Sequence, residues 1–333
     1  SSDVCSSDLG KLGDGSFSGI KALVFNADGS KAGAELLVNT QTFSFQLAPT
    51  ITALTNGGFV VSWQDNGETS GDNSYPSIKA QVFTADGSKV GSEFLVNTET
   101  AGGQFSPTIT ALNNGRFVVS WYDTSGTLGD SSGYSIKAQM FASDGSKLGS
   151  EFLVNTQTAN TQWLPKISAL TDGGFVVTWE DGGRSYYGSG TLGDNSSSSI
   201  KAQVFSADGS KVGTEFLVNT QTAKEQSEPT ITGLTNGWFV ISWQDRSGTL
   251  GDSKGASIKA QVFTADGSKI GSEFLVNTNT LGGQYEPVIA KLTNGGFVIS
   301  WYDLSRTLGD NSGASIKAQI FSFGNEPNIT SNG

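Results

Sequence analysis

GGFVVSWQD, residues 57–65, decides the fold, because nearly the same nonapeptide returns four more times along the chain. The copies are GRFVVSWYD (115–123), GGFVVTWED (173–181), GWFVISWQD (237–245) and GGFVISWYD (295–303). The tripeptide Ile-Lys-Ala begins at residues 20, 78, 136, 200, 258 and 316, so its spacing is 58 residues except for one of 64. Self-similarity at a fixed period of this length predicts a repeat architecture.

One repeat reads as four strands joined by turns. The strands are PTITAL (49–54), FVVSWQD (59–65), SIKAQVF (77–83) and EFLVN (93–97). Asn-Gly follows the first strand and Asp-Gly follows the third, and these dipeptides predict two-residue type I′ hairpins in which both central residues need φ > 0. No helical periodicity competes with this pattern.

Both faces of the strands carry apolar side chains. Phe59, Val61 and Trp63 point to one face and Val60 points to the other. A sheet that is apolar on both faces must be covered on both, and four-stranded sheets stacked face to face form a β-propeller. The sequence therefore predicts an all-β protein, a five-bladed β-propeller of four-stranded antiparallel blades with about 58 residues per repeat. A linear β-solenoid is the alternative, and in either case the tryptophans are predicted to lie in the core.

The repeat pattern also predicts domain limits. Residues 1–9 match no repeat and are expected to be a disordered leader, 10–322 form a single propeller domain, and 323–333 form a linker or tail. The ring is predicted to close when the strand at 35–39 completes the last blade. The strand at 20–25 is then surplus, and its free edge offers a route to self-association between chains.

Charge and composition exclude several classes of function. The chain has 333 residues, a net charge of −11 and no histidine. An acidic surface argues against a nucleic-acid partner, and the lack of histidine excludes His-based catalytic triads. No apolar run reaches the roughly 18–20 residues of a membrane span, so membrane insertion is not expected.

Polar residues recur where the second strand ends and the long loops begin, and function tends to reside on long loops held by a rigid scaffold. Carboxylates, amides and aromatic rings together suit a sugar, and the candidate ligand-binding residues are Asp65, Asp123, Asp181, Asp245, Asp303, Gln104, Gln284, Tyr122 and Tyr302. Oxygen ligands without His or Cys suit calcium, and the candidate calcium ligands are Asp72, Asp130, Asp194, Asp252 and Asp310. The alternative is that these side chains accept hydrogen bonds from nearby backbone N–H groups.

The assembled phrase QxxPxITAL–NGGFVVSWQD–SIKAQVF–ADGxKVGxEFLVNT resembles repeat arrays of large bacterial secreted and cell-surface proteins, of the hemolysin-type (RTX-like) and cadherin-like adhesin kind, over about residues 10–322. The glycine-rich calcium-binding nonapeptide of those proteins is absent, so their calcium role does not carry over. The resemblance implies an extracellular, modular and non-enzymatic setting at the bacterial cell surface.

Three functions follow as hypotheses. The first is a secreted, non-enzymatic binding or adhesion module for carbohydrate or another cell-surface polymer, and the second is a structural spacer or self-assembling unit without a small ligand. The third is a glycoside hydrolase, which needs two carboxylates about 5–10 Å apart. Its candidates break the repeat and are Glu180, Glu228 and Glu286, with Tyr186 and Tyr187 near the first of them.

Overall fold

The computed structural model describes residues 2–4, 8–9, 18–67, 76–182, 194, 197–308, 313–323 and 329–332. Within these ranges all regular structure is β-strand. No described segment is a helix long and apolar enough to cross a membrane. The chain packs as two compact units, Ser1–Thr158 and Ala159–Gly333.

The first unit holds two short sheets and two four-stranded sheets among its described residues. Its strands are β1 (Ser2–Val4), β2 (Asp8–Leu9), β3 (Ser18–Gly19), β4 (Lys21–Val24), β5 (Leu36–Leu37), β6 (Gln46–Ala53), β7 (Phe59–Asp65), β8 (Ser77–Phe83), β9 (Lys89–Leu95), β10 (Gln104–Ala111), β11 (Phe117–Asp123), β12 (Ser135–Phe141) and β13 (Lys147–Leu153). The strand order is β1-β4-β5, β2-β3, β6-β7-β8-β9 and β10-β11-β12-β13.

The second unit holds three four-stranded sheets among its described residues, each with its strands in chain order. Its strands are β14 (Gln162–Ala169), β15 (Phe175–Asp181), β16 (Ser199–Phe205), β17 (Lys211–Leu217), β18 (Gln226–Gly233), β19 (Phe239–Asp245), β20 (Ser257–Phe263), β21 (Lys269–Leu275), β22 (Gln284–Lys291), β23 (Phe297–Asp303), β24 (Ser315–Phe323) and β25 (Ile329–Asn332). Repeated four-stranded antiparallel sheets confirm the predicted all-β, propeller-type fold, while the number of blades stays a prediction.

Neighbouring sheets pack face to face through the apolar positions of the repeat. Val60 and Ile78 of the β6–β9 sheet lie in one core cluster with Phe117, Val119 and Trp121 of the next sheet. Burial of this apolar surface is the main stabilising contribution. The tryptophans of the first four nonapeptides are fully buried, which confirms their predicted place in the core.

The sheet at the C-terminal end differs from the others on one face. Ile316 on β24 is 74% exposed, whereas the equivalent Ile78 on β8 of the β6–β9 sheet is 0% exposed. Val288 and Ile320 on the same sheet are also exposed.

The predicted closure of the last sheet is wrong. Its fourth strand is β25, which pairs with β24, and β5 pairs with β4 instead. The strand at 20–25 is not surplus, because β4 has β1 on one edge and β5 on the other. Pairing with a strand that is close in the chain costs less loop-closure entropy than pairing with a distant strand. Self-association through this strand stays a prediction, as do the predicted limits at residues 9 and 322.

The tight turns also differ from the prediction. The backbone of Leu54 donates to the carbonyl of Gly58 at 2.8 Å, and Gly57 donates to the carbonyl of Leu54 at 3.1 Å, so the loop has three residues. Gly57 has a φ of +87°, which is the G1-bulge arrangement rather than the two-residue type I′ turn. The side chain of Asn56 accepts a hydrogen bond from Gly58 N–H at 3.0 Å and fixes this geometry.

The Asp-Gly turns make part of the stability dependent on pH. Hydrogen bonds from the Ser206 hydroxyl and the Ser210 backbone lower the pKa of Asp208 from 3.8 to about 2. A lowered folded-state pKa stabilises the fold above the unfolded value, and this contribution is lost as the pH falls through the folded value. We expect Asp208→Asn to lower the melting temperature at pH 6, with the difference shrinking between pH 4 and 2. Calorimetry at several pH values checks this, and a difference that stays constant down to pH 2 contradicts it.

Candidate functional site

The aspartates that end the second strands form buried ion pairs with the lysines of Ile-Lys-Ala. Lys137 lies directly opposite Trp121 in the β11–β12 register, which puts its side chain on the face of Trp121 and Asp123. Its ammonium lies 2.9 Å from the Asp123 carboxylate, and both side chains are fully buried. The equivalent pairs are Lys79–Asp65 at 2.5 Å, Lys201–Asp181 at 2.8 Å, Lys259–Asp245 at 3.0 Å and Lys317–Asp303 at 2.8 Å.

Several of the ion pairs belong to a larger polar network that joins neighbouring sheets. The ammonium of Lys137 also lies 3.4 Å from Glu151 on β13. The second oxygen of Glu151 accepts a hydrogen bond of 2.6 Å from the backbone of Thr98, which follows the preceding sheet. Glu273 does the same in the second unit, with Lys259 at 3.1 Å and the backbone of Thr220 at 2.6 Å. Burial of these charges is tolerated because each has a charged or hydrogen-bonding partner.

The two candidate glutamines are part of the same interior network. Gln104 is buried, and its amide donates to Asp123 at 3.1 Å and accepts from Asn97 at 3.1 Å. Gln284 is buried and donates to the backbone carbonyl of Leu281 at 3.1 Å. In the structure these glutamines and the strand-end aspartates bind other groups of the protein. A ligand-binding role for Asp65, Asp123, Asp181, Asp245, Asp303, Gln104 and Gln284 stays a prediction.

Asp303 shows how the network acts on a carboxylate. Burial raises the pKa of Asp303, but hydrogen bonds from Lys317 and Ser305 outweigh burial and hold the pKa below its usual value. The carboxylate therefore stays charged at neutral pH beside Lys317.

Three of the candidate calcium ligands bind asparagine side chains. Asp130, Asp194 and Asp252 are buried, and they accept hydrogen bonds of 2.8, 3.0 and 2.9 Å from Asn155, Asn219 and Asn277. Asp72 and Asp310 lie outside the described residues, as do Tyr186 and Tyr187. In the described ranges no three acidic, histidine or cysteine residues are grouped to hold a metal ion. Calcium binding stays a prediction.

The candidate tyrosines lie in two different surroundings. Tyr122 is half-buried between Phe105 and Tyr134, with ring centroids 5.0 and 5.6 Å away. Burial, and then the neighbouring Tyr134, raise the pKa of Tyr122. Tyr302 is exposed, and its ring lies 6.2 Å from that of Tyr285.

The acidic residues that break the repeat lie on three successive sheets of the second unit. Glu228 and Glu286 hold the same position on β18 and β22, which pack beside each other. Glu228 is half-buried and Glu286 is exposed. Glu180, on β15, is fully buried, and its carboxylate accepts a hydrogen bond of 3.4 Å from the backbone of Glu228. The structure therefore links Glu180 directly to Glu228, a relation that the sequence did not predict.

A β-bulge fixes the direction of these two glutamates. The register shifts between Ser227 and Thr230 and again between Tyr285 and Val288. Glu228 and Glu286 have φ values of 52° and 53°, and the equivalent Ala48, Ser106 and Leu164 have similar positive values. A bulge re-aims a side chain at the cost of local strain. Because the bulge recurs at the equivalent position of all five repeats, it belongs to the fold, and an acidic side chain at that position distinguishes only the β18 and β22 repeats.

The comparisons with known proteins give a fold but no family. No family model and no curated protein sequence matches the chain. An α-L-arabinofuranosidase from Fusarium graminearum, solved with an iminosugar inhibitor, superposes with a TM-score of 0.58 and 12% identity over 94% of this chain and 87% of that one. The complex of that enzyme with arabinobiose gives a TM-score of 0.56 at 12% identity, with the same coverage. A sialidase from Streptococcus pneumoniae gives 0.54 at 8% identity over 88% of this chain and 61% of that one.

These findings correct the functional reading of the sequence. The resemblance to hemolysin-type and cadherin-like adhesin arrays is wrong, because the similar solved structures are glycosidases. The non-enzymatic binding or adhesion module that followed from it, and the expectation of no enzymatic activity, are wrong for the same reason. The secreted location stays a prediction.

Proposed function

We propose that the protein is a glycoside hydrolase whose carboxylate pair is Glu228 and Glu286. The observation that carries this proposal is the placement of the two glutamates at the same position of β18 and β22. These are the first strands of two neighbouring sheets, they pack against each other, and both glutamate side chains are accessible to solvent. Most glycoside hydrolases use two carboxyl groups on either side of the scissile bond. One protonates the leaving oxygen, while the other attacks the sugar or activates a water molecule.

The groups around this pair suit a sugar ring. Tyr285 directly precedes Glu286, and its ring lies near that of Tyr302. The guanidinium of Arg246 lies 5.8 Å from the centre of the Tyr285 ring, a distance at which cation–π attraction operates. Aromatic faces pack against the apolar side of a sugar, and a nearby cation donates hydrogen bonds to its hydroxyl groups.

Glu180 is assigned a positioning role. Its side chain is fully buried, so it does not meet substrate, and its carboxylate instead holds the backbone N–H of Glu228. Gln64 makes the same contact with the backbone of Ser106 at 3.3 Å in the first unit. Glu180 therefore fixes the bulge from which the Glu228 side chain projects.

The likeness to an arabinofuranosidase and a sialidase supports carbohydrate as the substrate class, and arabinose-containing glycans are the first to test. The experiment incubates the full chain with arabinan, 4-nitrophenyl α-L-arabinofuranoside, sialyllactose and a panel of plant and bacterial polysaccharides. We expect release of reducing sugar or nitrophenol from at least one of them, and no release by the Glu228→Gln/Glu286→Gln double variant. If the folded wild-type chain releases nothing from any substrate, or the double variant is as active as wild type, the proposal fails.

A further inference from the structure

A glutamate of the fourth strand completes the lysine site in four of the sheets. Glu273 on β21 lies 3.1 Å from the ammonium of Lys259. The other oxygen of Glu273 accepts hydrogen bonds from the backbone N–H groups of Thr220 and Gln221 at 2.6 and 3.2 Å. The carboxylate is therefore held by an ammonium of its own sheet and by two successive N–H groups that follow the preceding sheet. The equivalent glutamates beside their lysines are Glu93, Glu151 and Glu215.

The last sheet, β22–β25, keeps the lysine but has no such glutamate in its fourth strand. Lys317 on β24 is the equivalent of Lys259 and lies 2.8 Å from Asp303. The fourth strand, β25, reads Ile-Thr-Ser-Asn and contains no acidic residue. In the part of the chain that the structure describes, Asp303 is the only carboxylate paired with Lys317. The site therefore has one carboxylate where the other four sheets have two.

The donors that hold the carboxylate in the other sheets line a cavity of about 140 Å³ in this one. Lys317 lines it together with Thr278 and Asn279, which follow β21 as Thr220 and Gln221 follow β17. No described carboxylate accepts from the backbone N–H groups of Thr278 and Asn279. The cavity is well below the roughly 300–1,000 Å³ of sites for whole small molecules. It therefore suits a single carboxylate on a short stem.

The backbone edge of β24 beside this cavity is open as well. In the preceding sheet the Ile258 N–H donates to the side chain of Asn277 at 2.9 Å, and the Ile258 carbonyl accepts from the Val276 N–H at 2.8 Å. Both bonds recur in the repeats of Ile20, Ile78, Ile136 and Ile200. Ile316 makes neither bond to a described residue, because β25 pairs with β24 only from Ile320 to Phe323. An unpaired stretch of strand edge is a template for another strand.

We propose that this edge binds an extended segment of a partner chain with the sequence Glu-x-Leu-Val-Asn. The glutamate enters the cavity and accepts hydrogen bonds from Lys317 and from the backbone of Thr278 and Asn279. The valine N–H of the segment donates to the Ile316 carbonyl, and its asparagine side chain accepts from the Ile316 N–H. In this mode of recognition the main chain supplies affinity and a side-chain pocket supplies specificity.

The spacing of the partner segment is set by the sheets of this chain. Glu273 and Asn277 are four residues apart, and the same spacing holds in the segments 35–39, 93–97, 151–155 and 215–219. Each of these segments is bound in its own sheet, so the donor is a separate polypeptide. Phe274 packs on Phe321 of the following sheet, so the edge itself does not specify the second position. The site uses neither Glu228 nor Glu286 and does not rest on the proposed hydrolase activity.

The test is isothermal titration calorimetry of the full chain with the blocked peptide SEFLVNT, which copies residues 272–278. Two variant peptides carry Glu273→Gln, which removes the charge, or Asn277→Ala, which removes the acceptor for Ile316. In the protein, Ile316→Pro removes the N–H at the edge, where proline is tolerated, and Ile316→Ala keeps that N–H as the matched control. The Ile316 side chain is mostly exposed, so neither change removes a core contact. Sodium acetate and sodium glucuronate, each up to about 50 mM to reach weak millimolar sites, test for a free carboxylate as the ligand.

We expect the parent peptide to bind with a Kd below about 1 mM. The Glu273→Gln peptide should bind about tenfold more weakly or worse, because hydrogen bonds to a charged acceptor are the stronger ones, and Asn277→Ala should also weaken binding. Ile316→Ala should retain the affinity for the parent peptide, and Ile316→Pro should reduce it. Absence of binding by the parent peptide, or equal binding by the Glu273→Gln peptide, overturns the proposal. Binding of acetate or glucuronate without binding of the peptide also overturns it, because the cavity then takes a free carboxylate and not a strand.

Discussion

Asp123→Ala is expected to lower the free energy of unfolding by about 3–5 kcal/mol, because removing one member of a buried ion pair is strongly destabilising and leaves the Lys137 ammonium with only the more distant Glu151, at 3.4 Å. Lys137, its partner at 2.9 Å, is fully buried and cannot reach water without disturbing the sheet. Gln104 loses an acceptor at the same time. Urea unfolding followed by tryptophan fluorescence measures the change, provided that the slope with denaturant stays constant.

A triple variant separates charge burial from packing. In Asp123→Ala/Lys137→Met/Glu151→Gln all three buried charges are removed together, and the amide oxygen at position 151 can still accept from the backbone of Thr98. Since apolar replacement of a buried pair is often neutral or stabilising, most of the lost stability should return. Asp144→Ala, in an exposed turn of the same sheet, should have a much smaller effect. If Asp123→Ala has the wild-type free energy of unfolding, the Asp123 carboxylate does not stabilise the core, and a ligand-binding role for it is favoured instead.

The repeat made the sheets predictable, and it also contained the signal for the ion pairs. A lysine within the apolar strand SIKAQVF returns in every repeat together with the aspartate of Trp-x-Asp. In an antiparallel register Lys137 falls opposite Trp121 and diagonal to Asp123, on one face. An apolar strand that keeps a lysine in its middle needs a buried partner for it, so the pairing could have been inferred from strand register alone.

Other features could not be inferred from the sequence. The contact of Glu180 with the backbone of Glu228 joins residues 48 positions apart, and it depends on how two sheets pack. The three-residue turn around Gly57 has the same Asn-Gly dipeptide as a two-residue hairpin, and only the hydrogen-bond pattern separates them. The pairing of β25 with β24 arises from a segment that matches no repeat.

Glu228→Gln is expected to reduce kcat about 1000-fold on any glycan that the wild-type chain hydrolyses, with KM little changed. Glutamine keeps the size and the hydrogen-bonding oxygen but can neither attack the sugar nor transfer the proton, so the loss falls on the transition state. A factor of 1000 corresponds to about 4 kcal/mol, and an interaction made only in the transition state lowers kcat and kcat/KM equally. Steady-state kinetics on the best substrate found for the wild type gives both constants.

The variants of the two neighbouring glutamates divide catalysis from positioning. Glu286→Gln should match Glu228→Gln, because hydrolysis needs both carboxyl groups. Glu180→Gln keeps an acceptor for the backbone of Glu228, as Gln64 does for Ser106, so we expect a loss of about tenfold or less, well below the 10²–10⁴-fold contribution of a direct acid–base group. Glu35→Gln, an exposed residue of the first unit, should leave both constants unchanged. If Glu180→Gln is as damaging as Glu228→Gln, the buried residue takes part in the reaction itself. If Glu228→Gln keeps the wild-type kcat, the carboxylate pair lies elsewhere in the fold.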